Sequence, residues 1–293
     1  VSEYFSEQTI DRLFEPISET FLFANLENVS AAIFMVLIGA FLDESNNLYY
    51  LENGIGSIAE AFKSEINLNG VEILTATVKK IKKNINSFSV LCTNGKKFES
   101  VSVISAVPLE ILSKLIDEAK ISEDFCKIKY VPIICDNIAL SSPLIEIKDH
   151  HLIFLPAKKK SPIILVGEST KRHHRVAPEG NGLLYVLISP EFSKDLIKTS
   201  NKKIISIIND ELSNLFPDYK KKVIFHYVRK WKNAFALSNM DYFNNTRIET
   251  RIDGLFACGD FVYVGLDGVI FSGELAAKKN SEYLEKKKLQ QLP

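Results

Sequence analysis

The sequence predicts a mixed α/β (α+β) fold with an inserted region, and three observations carry that prediction. Apolar residues recur at helical spacing near both ends of the chain. Short runs rich in Val, Ile and Leu, each of strand length, fill much of the stretch between them. These strands and helices alternate without a strict βα rhythm, and there is neither an internal repeat nor a low-complexity linker. A chain of 293 residues makes one large domain or two interleaved ones.

Taken in order, Phe5, Ile10, Leu13, Phe14, Ile17 and Phe21 put a helix from Ser2 to about Leu26, and Ala31 to Leu42 predicts a second. Leu48 to Leu51 reads as a short strand, after which Asn53-Gly54-Ile55-Gly56-Ser57 turns into a helix reaching Ile66. Gly70 to Leu74 and Thr77 to Ile81 predict strands. Ser87 to Cys92 and Lys97 to Glu99 flank Asn94-Gly95, a hairpin turn because both residues tolerate positive φ. Val101 to Ala106 predicts a buried strand, stopped by Pro108. Val131 to Leu140, Leu152 to Leu155, Ile163 to Val166, Gly182 to Ile188 and Val223 to Tyr227 are further strands. Leu196 to Leu215 is an amphipathic helix, Gly254 to Asp260 a strand entering a tight turn, and Val269 to about Lys286 a final helix.

The 36 basic and 36 acidic side chains cancel, which excludes a protein that grips nucleic-acid backbone by charge. Cys92, Cys126, Cys135 and Cys258 are scattered, without the clustered spacing of a zinc site or a disulfide framework. Reduced thiols and a cytoplasmic location are expected. No basic, then apolar, leader opens the chain. The apolar run Ala31 to Leu42 falls short of the about 20 residues that cross a bilayer. It reads as a buried helix, or as a surface that touches a membrane or an apolar substrate. The sequence begins without methionine and directly in helical pattern, so it reads as part of a longer protein.

Two glycine-rich segments carry chemistry. Gly54-Ile55-Gly56-Ser57-Ile58-Ala59 fits the spacing of a dinucleotide turn, but no acid follows where a ribose needs one. A glycine-started helix packed on a sheet is the plainer expectation. Ala257-Cys258-Gly259-Asp260, followed by Gly265-Leu266-Asp267-Gly268, puts polar backbone at the carboxyl end of an apolar strand, where ligands of open α/β sheets bind. Asp260 there suits sugar hydroxyls, and the N–H groups at Gly268-Val269 suit an electron-rich oxygen. His150-His151 and His173-His174 are adjacent pairs that point apart in an extended chain, so no metal site is expected. Lys158-Lys159-Lys160 and Lys171-Arg172-His173-His174-Arg175 read as solvated faces, with a pocket for an acidic substrate as the alternative. Trp231 reads as core or as a cofactor contact. No triad order and no paired carboxylates stand out, so no residue is assigned as catalytic.

Several of these segments, in this order, resemble the flavin-containing amine oxidoreductase superfamily, which includes protoporphyrinogen oxidases, amine oxidases and phytoene-type desaturases. Gly70-Val71-Glu72-Ile73 with Thr77-Val78-Lys79-Lys80-Ile81 resembles its "G-V-x-I … V-x-x-I" strands, and Val103-Ile104-Ser105-Ala106-Val107-Pro108 its "V-I-x-A-x-P" strand. Trp231-Lys232-Asn233-Ala234 resembles its "W-x-x-A" segment, and Gly254 to Ala277 the segment that closes the flavin site. The resemblance implies an FAD-binding Rossmann-like domain interleaved with a mixed-sheet and helical substrate domain. Residues 1–48 and 112–244 would be the substrate domain, and 49–111 and 245–293 the remaining parts of the FAD domain. It places Val78 on the adenine, Gly259 and Asp260 on the ribityl or pyrophosphate region, and Gly268 and Val269 near the pyrimidine ring. Ala106, Val107 and Pro108 would line the site beside Trp231. The family's initial βαβ unit, with its G-x-G-x-x-G, has no counterpart before Ser57, and a separate chain could supply it.

The implied activity is removal of a hydride from a CH–NH or CH–CH group. Val264-Gly265-Leu266 and the Lys/Arg/His cluster lean toward a protoporphyrinogen oxidase-like enzyme with an apolar or tetrapyrrole-like substrate. An isoprenoid desaturase, an amine oxidase and a binding module that has lost FAD are the alternatives. Peripheral membrane contact follows from the apolar run.

Overall fold

The computed structural model describes residues 4–43, 49–116, 128–145, 151–155, 161–237 and 248–290. In chain order its α-helices of four or more residues are α1 (Glu15–Phe21), α2 (Ala31–Leu42), α3 (Gly56–Leu68), α4 (Leu109–Leu115), α5 (Ser169–Arg172), α6 (Pro190–Leu196), α7 (Asn201–Leu215), α8 (Tyr219–Lys222) and α9 (Leu266–Leu289). Its strands are β1 (Val78–Lys83), β2 (Phe88–Cys92), β3 (Lys97–Ser100), β4 (Val103–Ser105), β5 (Tyr130–Leu140), β6 (Leu152–Phe154), β7 (Ile163–Glu168), β8 (Gly182–Ile188), β9 (Val223–Ala236) and β10 (Leu255–Ala257). The chain divides into two compact units, Val1–Ile66 with Tyr130–Phe235, and Asn67–Lys129 with Ala236–Pro293. The mixed α/β class expected from the sequence is the one found.

Unit one is built on a five-stranded sheet in the order β6-β7-β8-β5-β9. Alternation along β5 and β8 sends Ile134, Ile138, Leu140, Leu184, Val186 and Ile188 to one face, all buried. There they meet Ile204, Ile208 and Leu212 of α7, spaced four residues apart so that one helical stripe fills the core. The opposite face carries Cys135, Asn137, Leu183, Tyr185 and Leu187, all only partly covered. Strand β9 runs well past the predicted Tyr227, to Ala236. Its charged stretch Arg229 to Lys232 hides the strand from a hydrophobicity reading, yet suits an edge position, where cations discourage further pairing.

The helices of unit one depart from expectation for local reasons. The first stops at Phe21, two residues before Phe23 adopts a positive φ of 52°. Just upstream, Ile10–Phe14 is a π-helical turn: Pro16 has no N–H for the ladder, which widens until Glu15 donates to the Ile10 carbonyl. The predicted helix from Leu196 is two, because Ser200 caps the second by accepting from Lys203 N–H at 3.3 Å. Helix α2 is not the buried helix expected. Only Phe34 is buried, while Val36 and Leu42 are 73% and 75% exposed. Helix α3 has no buried residue, so it is not packed on a sheet as its glycine turn suggested. Residues 49–51 form no strand.

Unit two holds a three-stranded antiparallel sheet, β1-β2-β3, and a parallel pair, β4 with β10. The Asn94-Gly95 hairpin forms as predicted, with Gly95 at φ 84° and its N–H donating to the Cys92 carbonyl. Gly70 lies in a turn and residues 71–74 have no regular secondary structure, with Val71 and Ile73 exposed, so the predicted strand there is absent. The strand expected over Val101 to Ala106 shrinks to β4, and Ile104 is 39% exposed instead of buried. Helix α9 starts at Leu266, ahead of the predicted Val269, because Gly265 supplies a positive φ of 88° at the cap.

Candidate functional site at the carboxyl end of the parallel pair

In unit two, the parallel register Leu255↔Val103, Phe256↔Ile104, Ala257↔Ser105 brings two carboxyl ends together. Cys258 N–H donates to the Ser105 carbonyl at 2.9 Å, so Ala106 and Gly259 leave the pair side by side. From that edge Ala106-Val107-Pro108 leads into α4, whose first turn Pro108 caps by accepting from Ile111 and Leu112. On the other strand, Gly259 takes φ 151°, a conformation that disfavours any side chain, and a Cβ there would lie 2.9 Å from the Phe261 ring.

One serine ties this turn to the last helix. Gly259 N–H donates to Ser272 Oγ at 3.0 Å, and the same hydroxyl donates to the Val269 carbonyl at 2.7 Å. Gly259, Asp260, Val269 and the opening turn of α9 are therefore one hydrogen-bonded assembly. Gly268 serves close packing, since a Cβ would meet the Tyr263 backbone at 2.9 Å. Val269 N–H already donates to the Gly265 carbonyl at 3.0 Å, so it is the N–H groups ahead of it, up to Gly268, that open α9 without an intrahelical acceptor, and the helix dipole favours negative charge beside them. Asp260 has a structural partner that spacing alone did not signal: its Oδ2 accepts the Ala236 N–H at 2.9 Å.

Seven of the nine expected site residues, Ala106, Val107, Pro108, Gly259, Asp260, Gly268 and Val269, thus adjoin the parallel pair or the helix tied to it. Val78 opens β1 on the three-stranded sheet of the same unit, beside a register irregularity between Val78 and Lys80. Trp231 belongs to unit one, on β9, and is 46% exposed. A cavity of about 330 Å³ in unit two lies at the amino end of β10, between Gly254 and Tyr283, away from this edge.

Nucleophilic and metal chemistry find little support. Burial first, and then the Asp136 charge, pushes the Cys135 thiol up to about 12, which keeps it protonated at neutral pH. Burial also raises Cys258. No metal-ligand cluster occurs among the described residues. The signal that sequence reasoning missed lies in unit one. His226 Nδ1 stands 2.6 Å from Asp136 Oδ2, and Asp136 is wholly buried. His226 Nε2 lies 3.5 Å from the Tyr219 hydroxyl, which donates to Asn209 Oδ1 at 2.8 Å. Asp136 is 90 residues from His226 in sequence, and the sheet that pairs β5 with β9 brings it to the group formed by Asn209, Tyr219 and His226. Cys126, His150 and Lys158 to Lys160 lie outside the described residues.

The comparisons give this geometry a family. The chain is similar in fold to the PF1083 protein from Pyrococcus furiosus, with 18% identity and a TM-score of 0.68 over 96% of this chain and 66% of that one. It is similar also to a double mutant of putrescine oxidase, with 15% identity and a TM-score of 0.73 over 97% and 66%. A structure assigned as a protoporphyrinogen oxidase from Exiguobacterium sp. 255-15 gives 13% identity and a TM-score of 0.71 over 94% and 64%. The chain therefore spans just under two thirds of the length of these proteins. A comparison with curated protein sequences finds no match. The family model described as flavin containing amine oxidoreductase matches residues 2–279, nearly end to end, and the chain belongs to that family.

Proposed function

We propose that the chain is the larger part of an FAD-dependent oxidoreductase that removes a hydride from a CH–NH or CH–CH group, leaning to a protoporphyrinogen oxidase-like activity. The observation that carries this reading is the carboxyl edge of β4 and β10, with Gly259 in a conformation suited to glycine and tied through Ser272 to the start of α9. The donor set there fits a flavin: glycine backbone for close approach, unpaired helix N–H groups for an electron-rich ring edge, and a carboxylate for hydroxyls. When bound, the flavin supplies the two-electron acceptor.

This chain's residues supply position and electrostatics. In this reading the opening turn of α9, at Gly268 and Val269, faces the pyrimidine edge, and Asp260 faces the ribityl hydroxyls. Ala106, Val107 and Pro108 wall the site, and Val78 holds the adenine by its backbone. Trp231 would contribute from the substrate domain. The two domains follow the ranges 1–48 with 112–244, and 49–111 with 245–293. A dinucleotide-binding βαβ unit completes the cofactor domain, from a preceding segment or from a separate chain. The 39% exposure of Ile104 supports that addition, because parallel pairs are normally covered on both faces. No side chain is assigned as acid or base.

The test is FAD retention through gel filtration, read by the flavin absorption bands, in the chain complemented with such a unit. Asp260→Ala is expected to weaken retention about tenfold or more. Asp260→Asn keeps an acceptor for the Ala236 N–H and separates that structural bond from cofactor contact. Retention equal to the unchanged protein in both variants removes Asp260 from the site. An amine-oxidizing activity is the second reading, favoured by the likeness to putrescine oxidase. Turnover of putrescine in place of a porphyrinogen would select it.

A further inference from the structure

We propose that Arg172, stacked between Tyr50 and Tyr185 in unit one, is the anchor for a carboxylate carried on an aromatic or conjugated body. The site begins at the sheet. Tyr185 of β8 stands opposite Asn137 of β5 and Gly167 of β7, on the face turned away from α7. A Cβ on Gly167 would lie 2.2 Å from the Tyr185 ring, so only glycine lets the ring lie down across that strand. Helix α5 then ends in Arg172, whose guanidinium is 5.8 Å from the centre of the Tyr185 ring and 5.3 Å from that of Tyr50.

Among the described residues the charge on this arginine is unanswered. Its Nε is fully buried and has no hydrogen-bond partner. No described carboxylate pairs with it, whereas its neighbour Arg175 faces Glu52 at 3.6 Å. A buried donor without an acceptor costs about 1–3 kcal/mol, and native proteins keep such groups where a ligand or water completes them. A guanidinium offers Nε–H and Nη–H as a planar fork that matches the two oxygens of one carboxylate. Both tyrosine rings lie within cation–π range of it, and Tyr50 is nearly half exposed. The arrangement attracts an aromatic anion and repels an ammonium group.

This inference names the substrate class of the proposed oxidoreductase and rests on that reading for the word substrate, but the binding step needs no flavin. The experiment titrates the full chain, labelled with ¹⁵N, with 2-naphthoate, its neutral isostere 2-naphthamide and the cation 2-naphthylmethylamine. Naphthoate is expected to shift the Arg172 Nε–H resonance and to bind at least about tenfold tighter than the other two. Arg172→Gln and Arg172→Lys are each expected to lose that preference, and Arg175→Gln to keep it. The lysine variant preserves charge, so its loss isolates the fork from simple attraction and serves if the glutamine variant misfolds. Equal affinity for the three probes, or an undiminished preference in Arg172→Lys, overturns the assignment. FAD retention is read separately, on the chain complemented with the βαβ unit: naphthoate binding without flavin retention there leaves this site standing while the flavoenzyme reading falls, and flavin retention without naphthoate binding does the reverse.

Discussion

At the scale of single residues, the energetics of unit one turn on Asp136. Its carboxylate has no exposure, one oxygen meets His226 Nδ1, and the other, Oδ1, has no hydrogen-bond partner. Burial, and then the Asp136 charge, raises the Tyr219 hydroxyl above its ordinary value, so that it stays a donor to Asn209. Removing His226 strands a buried carboxylate, and His226→Ala is expected to cost about 3–5 kcal/mol in urea denaturation. The double change with Asp136→Ala is expected to recover part of that loss, because the stranded acid goes with it. Glu19 makes a second prediction. Burial first, then the charges of Glu15 and Glu191, raise its carboxyl to about 7. The folded value lies above the unfolded one of 4.5, so its contribution to stability is complete below 4.5 and is lost as pH rises through 7. Glu19→Gln is expected to raise the melting temperature at pH 8 and to leave it unchanged at pH 4, as measured by differential scanning fluorimetry.

Among elements, the break between α6 and α7 shows how little is needed to divide a helical pattern. Hydrophobic spacing runs straight through residues 196–215, yet the Thr199 hydroxyl bonds back to the Leu196 carbonyl and Ser200 starts a new cap. Ser200→Ala is expected to destabilise unit one by about 1 kcal/mol, a fall measurable as the urea midpoint, without altering α7's buried stripe. Helix α2 makes the opposite point. Its composition is that of a core helix, but composition does not name a partner, and Met35, Val36 and Leu42 are left exposed. No described helix is long and apolar enough to cross a membrane. Strand β9 escaped full prediction because an edge strand needs apolar residues on one face alone and tolerates Arg229, Lys230 and Lys232.

For the whole molecule, the share of relatives' length that the chain covers and the exposed Ile104 of β4 both bear on the cofactor. If the proposed βαβ unit completes the flavin site, FAD must stabilise the complemented protein by mass action. At one hundred times its dissociation constant the gain is about 2.7 kcal/mol, seen as a rise in melting temperature. The chain without that unit is expected to melt at the same temperature with and without FAD. A rise in the uncomplemented chain would show that the β4 and β10 edge binds flavin unaided.

Sequence by itself determined the class, the hairpin at Asn94-Gly95, the core strands of unit one, though not their antiparallel pairing, and the Gly259-Asp260 turn into a helix. These features are written in local spacing: period two for strands, positive φ for turn glycines, and a glycine cap before α9. It also carried the family, since the ordered segments survive at an identity too low for any one of them to suffice. Only the tertiary structure decided that Ser272 holds Gly259, that Asp260 accepts the Ala236 N–H, and that His226 meets Asp136 ninety residues away. It alone decided that Arg172 lies near two tyrosine rings with no counterion among the described residues. Such contacts arise where strands and helices distant in the chain are brought into register, and a hydrogen bond or a stacked ring depends on that register, which local spacing does not encode.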